Sequence, residues 1–119
     1  MNNLDDTAIA YIADYFQALS EPMRLRVLNL LRADRRNVGE LAELLGCTTA
    51  NVSKHLSLLA KSGFVERTME GNAAYYRIAD PAVFELCNVV CGQVGRRLTE
   101  QSRTAARLVS AEQNAKKSD

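Results

Sequence analysis

Two cysteines near the end of the chain, Cys87 and Cys91, stand four residues apart. On a helix, residues at this spacing share one face, with Cβ atoms about 5–6 Å apart. Two thiolates so placed could hold a soft, thiophilic centre such as trivalent arsenic or antimony, or cadmium with added ligands. Thiol oxidation, or a contact with the same sulfurs of a second copy, is an alternative use. Core packing is a further alternative, because cysteine is among the most buried residue types and both thiols fall on an apolar stripe.

Other candidates for metal or catalytic chemistry are sparse. Cys47 could act as a third thiol only if folding brings it near the other two. The chain has a single histidine, His55, so a closed zinc site built from cysteine and histidine is hard to assemble. The histidine has no serine or cysteine partner at catalytic spacing, and no glycine loop suited to phosphate is present. We therefore expect no enzyme and no obligatory cofactor.

The hydrophobic spacing predicts the elements that must position these residues. Apolar side chains recur every three or four residues in most of the chain, and two β-rich segments interrupt that pattern. In order, the predicted elements are helices over residues 5–19, 22–33, 38–45 and 48–62, with a charged turn over 34–37, strands over 64–68 and 74–78, and a last helix from 81 that frays near Leu108.

Residues with capping chemistry support these boundaries. Ser20 is a good N-cap for the second helix, and Asn37 with Glu40 has the spacing of a capping box for the third. Gly46 can end the third helix in the left-handed conformation. Asp80 followed by proline predicts the start of the last helix. Either threonine at the start of the fourth helix could cap it.

A short helix, a glycine-containing turn and a second helix form a helix-turn-helix, and the hairpin that follows makes it a winged one. The second helix of such a unit presents its outer face to the DNA major groove, about 12 Å wide. Any amphipathic helix also has a polar outer face, and hairpin cations are often only solvated. The candidate DNA contacts are Thr48, Thr49, Asn51, Ser53, Lys54 and His55 on the fourth helix, and Arg67, Asn72 and Arg77 on the wing.

Composition excludes several classes of protein. The chain has 119 residues, of which 47% are hydrophobic and 24% charged, as in ordinary globular proteins. It has no apolar run of the roughly 18 residues that cross a bilayer and no signal-peptide pattern at its start. We therefore expect a cytoplasmic protein with reduced thiols and no membrane partner. Net charge is +1 overall, but residues 35–77 carry six basic and four acidic side chains, a weak indication of phosphate contact.

Four stretches of this sequence together resemble the ArsR/SmtB family of winged-helix repressors. They are Ala18–Leu25, Val38–Leu41, Val52–Leu59 and Glu70–Ile78, and the resemblance covers roughly residues 8–100. It implies a homodimeric repressor that binds a palindromic operator when free of ligand. It further implies release by a toxic metal or metalloid, or by thiol oxidation in some members.

The chain departs from the family's best-known ligand sets. The Cys-x-Cys that follows Glu-Leu in arsenic-sensing members is absent after Glu40-Leu41, and the last helix lacks the family's zinc set of aspartate, histidine and glutamate. Cys87 and Cys91 are what remains for an effector such as arsenite or antimonite. A thiol-redox or persulfide response, or a repressor with no ligand, are the alternatives.

These observations predict a mainly α fold with a small β-hairpin, that is, a winged helix-turn-helix that dimerises through its N- and C-terminal helices. We expect a single domain over residues 1–108, with dimerisation helices at about 5–19 and 81–108, and a polar tail over 109–119. The apolar stripes of the first and last helices could bury each other in a twofold dimer. The expected partners are operator DNA and a second copy. A winged-helix module that binds a protein instead of DNA is the competing hypothesis.

Overall fold

The computed structural model describes residues 3–117, which fall into two compact units divided after Pro81. The first unit holds four helices and three short strands, and the second is a single long helix. The elements are α1 (Asp6–Leu19), α2 (Pro22–Ala33), β1 (Arg36–Asn37), α3 (Val38–Leu45), α4 (Thr49–Lys61), β2 (Val65–Glu70), β3 (Ala73–Ile78) and α5 (Ala82–Lys117).

The junction between α1 and α2 differs in one respect from the prediction. Glu21, rather than Ser20, is the N-cap of α2, and its carboxylate accepts from the backbone N–H of Arg24 at 3.0 Å. The Ser20 hydroxyl instead donates to the carbonyl of Gln17 at 2.7 Å. Ser20 therefore finishes α1, and the neighbouring carboxylate takes over the cap.

The core of the first unit lies where α2, α3 and α4 face one another and the sheet. Its three central residues on α4 are Val52, Leu56 and Leu59, which are fully buried. The apolar spacing on α3 predicts that Leu44 points inward, but Leu44 is 52% exposed. The other buried apolar side chains of this unit are Ala18, Val27, Leu28, Leu31, Leu41, Ala42, Leu45, Phe64, Val65 and Tyr76.

The sheet has three antiparallel strands in the order β1-β3-β2, one more than predicted. Arg36–Asn37, predicted as part of a charged turn, pairs with Tyr75 and Tyr76 of β3. Two residues are too short a run for β-propensity to reveal, so the sequence pattern gave no sign of this strand. A two-residue turn joins β2 to β3, with Gly71 at φ +62°, as expected for glycine at the first position of a tight hairpin turn.

The long helix α5 extends beyond its predicted end. It begins at Ala82, one residue after the predicted first position, and continues past Leu108 to Lys117. The segment after Leu108 is rich in alanine, glutamate, glutamine and lysine, which are good helix formers. A helix of this length measures about 54 Å. The end of the predicted polar tail, Ser118–Asp119, lies outside the described residues.

The apolar positions of α5 lie largely exposed along its length. Those with large exposed side chains are Val89, Val90, Val94, Leu98, Leu108 and Val109. In the part of the chain that the structure describes, no helix is both long and apolar enough to cross a membrane.

Candidate nucleic-acid interface

A capped short helix and a left-handed glycine set the position of α4. The Asn37 side chain accepts from the backbone N–H of Glu40 at 2.8 Å, and the Glu40 carboxylate accepts from the N–H of Asn37 at 3.4 Å. At the other end of α3, Gly46 adopts φ +66° and ψ +37°. This conformation costs residues with a Cβ about 1–2 kcal/mol, so glycine allows the sharp turn into α4. The predicted capping box and glycine C-cap are both present.

Of the two threonines that could cap α4, Thr48 is the one that does so. Its hydroxyl oxygen accepts from the backbone N–H of Asn51 at 3.1 Å, which makes it the N-cap. Thr49 is the first helical residue and is exposed. The first turn of α4 therefore starts with one threonine committed to the backbone and one free to face outward.

One face of α4 is polar and open, and the opposite face belongs to the core. We define the outer face of α4 as Thr48, Thr49, Asn51, Ser53 and Lys54. All of them are exposed except Ser53, which is half-buried. The side chains are short donors and acceptors with one cation, and they carry no apolar bulk. Such groups can bond base edges and phosphates in the major groove.

His55, predicted to point outward with these residues, does not lie on the outer face. Its side chain is only 12% exposed, and its Nδ1 lies 3.3 Å from Nη1 of Arg24 and 3.8 Å from a carboxylate oxygen of Glu21. The helical spacing of polar residues suggested an outward direction. The direction of the ring is set by Arg24 on α2 and by Glu21, the N-cap of α2, which are more than thirty positions away in the chain. The sequence around His55 does not indicate these partners.

Of the three predicted DNA contacts on the wing, two are exposed polar side chains with no ion pair among the described residues, and the third is ion-paired. Arg67 and Asn72 are exposed on β2 and in the turn. Arg77 forms an exposed ion pair with Glu66, with Nη2 and Oε2 2.9 Å apart. An exposed pair of this kind contributes at most about 1 kcal/mol, so a phosphate could displace the glutamate.

A contact that the sequence pattern does not indicate braces the wing. The Arg35 guanidinium hydrogen-bonds the carboxylate of Glu70, and it lies over the Tyr75 ring at 4.3 Å from the centroid. The hydrogen bond that Arg35 donates to the Glu70 carboxylate raises the pKa of Arg35 above its ordinary value. Arg35 and Glu70 are 35 positions apart, so nothing in the local pattern could have indicated the pair.

The three cysteines lie in two places, and all of them are free thiols. Cys47 is half-buried in the turn before α4. Cys87 is half-buried and Cys91 exposed, one helical turn apart on α5. Within residues 3–117, no group of three or more histidine, cysteine or carboxylate side chains is placed to hold a metal ion. The pair on α5 therefore offers two sulfur ligands and needs further ligands from elsewhere.

The comparisons with known proteins agree with this geometry. A family model described as a helix-turn-helix domain matches residues 19–68. The chain is 37% identical over 90 residues to Rv0081, an HTH-type transcriptional regulator of Mycobacterium tuberculosis, with 75% of this chain and 79% of the relative covered. The crystal structure of Rv0081 superposes with a TM-score of 0.76 at 34% identity, covering 82% of this chain and 98% of that one.

Two further solved structures carry informative descriptions. One is the homodimeric winged helix-turn-helix DNA-binding domain Mb0332 of Mycobacterium bovis, a possible ArsR-family regulator. It has a TM-score of 0.71 at 31% identity and covers 82% of this chain and 94% of that one. The other is AntR, an antimony-specific transcriptional repressor, with a TM-score of 0.69 at 25% identity, covering 83% and 90%.

The winged helix-turn-helix predicted from the sequence is thus confirmed, and the relatives are transcriptional regulators rather than enzymes. Such regulators need four parts that this chain has: a capped α3, a glycine turn, an α4 with an open polar face, and a following wing. On the strength of that architecture and of the identity with Rv0081 over most of both chains, this chain belongs to the ArsR/SmtB family of winged helix-turn-helix transcriptional regulators.

Proposed function

We propose that this chain is a repressor that inserts the outer face of α4 into the major groove of a specific operator. The observation that carries the proposal is the exposure of Thr49, Asn51 and Lys54 on a helix whose opposite face is fully buried. An asparagine can bond adenine in a bidentate manner, and threonine can reach a base edge or a phosphate. The cation of Lys54 adds affinity for the backbone without choosing a sequence.

We further propose that two copies bind together through α1 and α5. On α1, the apolar residues at helical spacing include Ile9, Ile12 and Phe16, which are all exposed, as are Val94 and Leu98 on α5. Exposed apolar faces of this kind favour a partner surface. Mb0332 is described as a homodimer, which supports the same assembly here. A twofold dimer would place two copies of α4 about 34–36 Å apart, one turn of DNA, and would require a palindromic operator.

The wing supplies contacts to the sugar-phosphate backbone in this proposal. Arg67 and Asn72 are exposed and lie on the hairpin that flanks α4, and Arg77 can exchange its pairing with Glu66 for a phosphate. Contacts of this type fix the register of the protein on DNA and add to the salt dependence of binding. His55 is left out of the contact set because its ring faces Arg24.

DNA binding is tested with duplexes that the protein selects from a random-sequence pool. A mobility shift assay at several salt concentrations should show tight binding to a selected palindrome and weaker binding to an unrelated duplex of the same length. Affinity should fall steeply as salt rises, because phosphate contacts release counterions. If no sequence is enriched and no duplex shifts even at low salt, the chain is a protein-interaction module instead.

The effector in this proposal is a thiophilic metalloid or soft metal that binds Cys87 and Cys91. Sulfur is a soft ligand and suits trivalent arsenic or antimony, and the similar protein AntR is described as antimony-specific. The exposure of Cys91 gives a dissolved ion access to the pair. The pair offers only two sulfurs, so a second copy or Cys47 would have to complete a three-sulfur site. The same exposure favours thiol oxidation or persulfidation as the second candidate.

The two effector classes are separated by releasing the protein from DNA. Arsenite, antimonite, cadmium and a mild oxidant are added separately to the complex under anaerobic conditions. We expect Cys87→Ser and Cys91→Ser to abolish the response to the true effector. Cys47→Ser shows which third sulfur is used, because it abolishes the response if Cys47 completes the site and keeps it if a second copy does. Release by the oxidant alone would assign a redox switch. If both α5 variants respond as the wild type does, the two thiols serve packing only.

A further inference from the structure

One guanidinium in the first unit touches two helices on either side of its own. Arg24 lies in the first turn of α2. Its Nε donates to the carbonyl of Ala18 at 2.6 Å, and its Nη2 donates to the carbonyl of Gln17 at 3.1 Å. Its Nη1 lies 3.3 Å from Nδ1 of His55 on α4. The same side chain thus holds the last turn of α1 and the middle of α4.

The contacts of Arg24 with α1 and with α4 each have a physical reason. The last carbonyls of a helix have no partner within it, and a cation suits that end of the helix dipole. Arginine presents five N–H donors in a rigid planar fork, so it can serve α1 and α4 at once. Because a guanidinium only donates, a hydrogen bond between the two side chains requires Nδ1 of His55 to be the acceptor.

Glu21, the N-cap of α2, fixes the start of that helix. Glu21 accepts from the backbone N–H of Arg24 at 3.0 Å, and its carboxylate lies 3.8 Å from the His55 ring. The His55 side chain is 12% exposed, so water is a poor substitute for either partner. Arg24 is therefore held at its backbone N–H as well as at its guanidinium.

We infer that Arg24 and His55 are positioning residues for operator recognition, which hold α4 at a fixed orientation relative to the end of α1. The inference rests on the proposed function, in which α1 belongs to the dimer interface and α4 to the DNA interface. His55 follows Asn51 by four residues on α4, so a tilt at His55 moves the outer face of α4. In this arrangement neither residue contacts DNA. A change in the orientation of α1 within the dimer is instead transmitted through the pair to the side chains of α4 that contact DNA.

The test compares variants on two DNA probes. The first probe is a duplex selected by the wild-type protein from a random pool, and the second is an unrelated duplex of the same length. His55→Leu removes the acceptor but leaves the contacts of Arg24 with α1, so α1 remains capped. His55→Asn restores an acceptor near the position of Nδ1. Arg24→Lys keeps a cation at the end of α1 but cannot span both helices.

We expect His55→Leu and Arg24→Lys each to weaken binding to the selected duplex about tenfold, as for the loss of one hydrogen bond to a charged group. Binding to the unrelated duplex should stay unchanged, and His55→Asn should recover most of the lost affinity. The double variant should bind no worse than either single variant, because both remove the same contact. Circular dichroism confirms that each variant is folded at the assay temperature.

Three results would overturn the inference. They are His55→Leu binding like the wild type, additive losses in the double variant, or an equal loss on both probes. Additive losses would mean that His55 acts without Arg24, for example by contacting a base directly. These results differ from a failure of the proposed function itself, in which the wild-type protein selects no sequence from the pool at all.

Discussion

Thr48 and Asn51 lie three residues apart at the start of α4. They use different atoms for capping the helix and for facing outward. The hydroxyl oxygen of Thr48 accepts from the backbone N–H of Asn51, so the threonine is committed to the helix end. The side-chain amide of Asn51 takes no part in that bond and remains exposed. At the scale of single residues, stability and recognition are therefore assigned to separate groups within one turn.

Asn51→Ala should weaken binding to the selected duplex by about 1–3 kcal/mol, the usual effect of losing a good base contact. Ser53→Ala should act in the same direction. The matched control is Asn29→Ala, another exposed asparagine, on α2, which should leave the dissociation constant unchanged. Fluorescence anisotropy measures all three. An unchanged operator preference in both α4 variants would place the DNA-contacting face elsewhere.

Thr48→Ala should lower the free energy of unfolding by about 1 kcal/mol, because it removes an N-cap. Thr49→Ala removes a hydroxyl that caps nothing and should leave that free energy within experimental error. Urea denaturation of the two variants gives the comparison. Equal effects of the two substitutions would contradict the assignment of the cap to Thr48.

Single residues also show where sequence patterns lose information. Thr48 and Thr49 were indistinguishable as caps by sequence, since both types and both positions fit. His55 was predicted on the outer face from helical spacing alone. Its ring instead faces Arg24 on α2 and Glu21, the N-cap of α2. Side-chain direction depends on tertiary partners, which residue type and spacing do not specify.

At the scale of elements, strong local signals predicted the helix-turn-helix correctly. Asn37, Glu40 and Gly46 act within a few residues of one another, so the bounds of α3 follow from local chemistry. Strand β1 and the brace between Arg35 and Glu70 depend on chain segments far apart in sequence. Elements made by local contacts are visible in the sequence, and those made by distant pairing are not.

Gly46→Ala tests the turn that joins the two helices of the motif. Gly46 has φ +66°, and nothing lies within 4 Å of an added Cβ, so the cost is backbone strain alone. We expect a loss of about 1–2 kcal/mol of stability, as for a residue forced into the left-handed region. Gly39→Ala, inside α3 with ordinary φ, is the control and should be neutral or slightly stabilising. A neutral Gly46→Ala, measured by thermal unfolding, would show that the turn relaxes.

At the scale of the whole molecule, the exposed apolar faces of α1 and α5 are the main feature that remains for a partner. The sequence indicated these faces through their spacing, because each stripe exceeded what one small domain can cover. The length of α5 was underestimated, since exposed alanine, glutamine and lysine fit both a helix and a polar tail. In the dimer that we propose, both faces are covered by a second copy, and the homodimeric state of the similar protein Mb0332 supports this assembly.

Val94→Glu should weaken self-association of the chain by at least about 100-fold, because an unpaired carboxylate is costly to bury at an apolar interface. Sedimentation equilibrium measures the change, and operator affinity should fall with it. Ser110→Glu places the same charge on an exposed position of the same helix, on the side opposite Val94, and should change neither quantity. A Val94→Glu protein that still dimerises would remove α5 from the interface.

The continuation of α5 to Lys117 has a consequence for the protein at low concentration. An unsupported helix is marginal in water, and its turns persist mainly when an apolar stripe is covered. Leu108 and Val109 lie exposed in the last third of α5. Dilution below the dissociation constant of the proposed dimer should therefore unwind these turns. The magnitude of the far-ultraviolet ellipticity per residue should decrease, and proteases should cut first beyond Leu108.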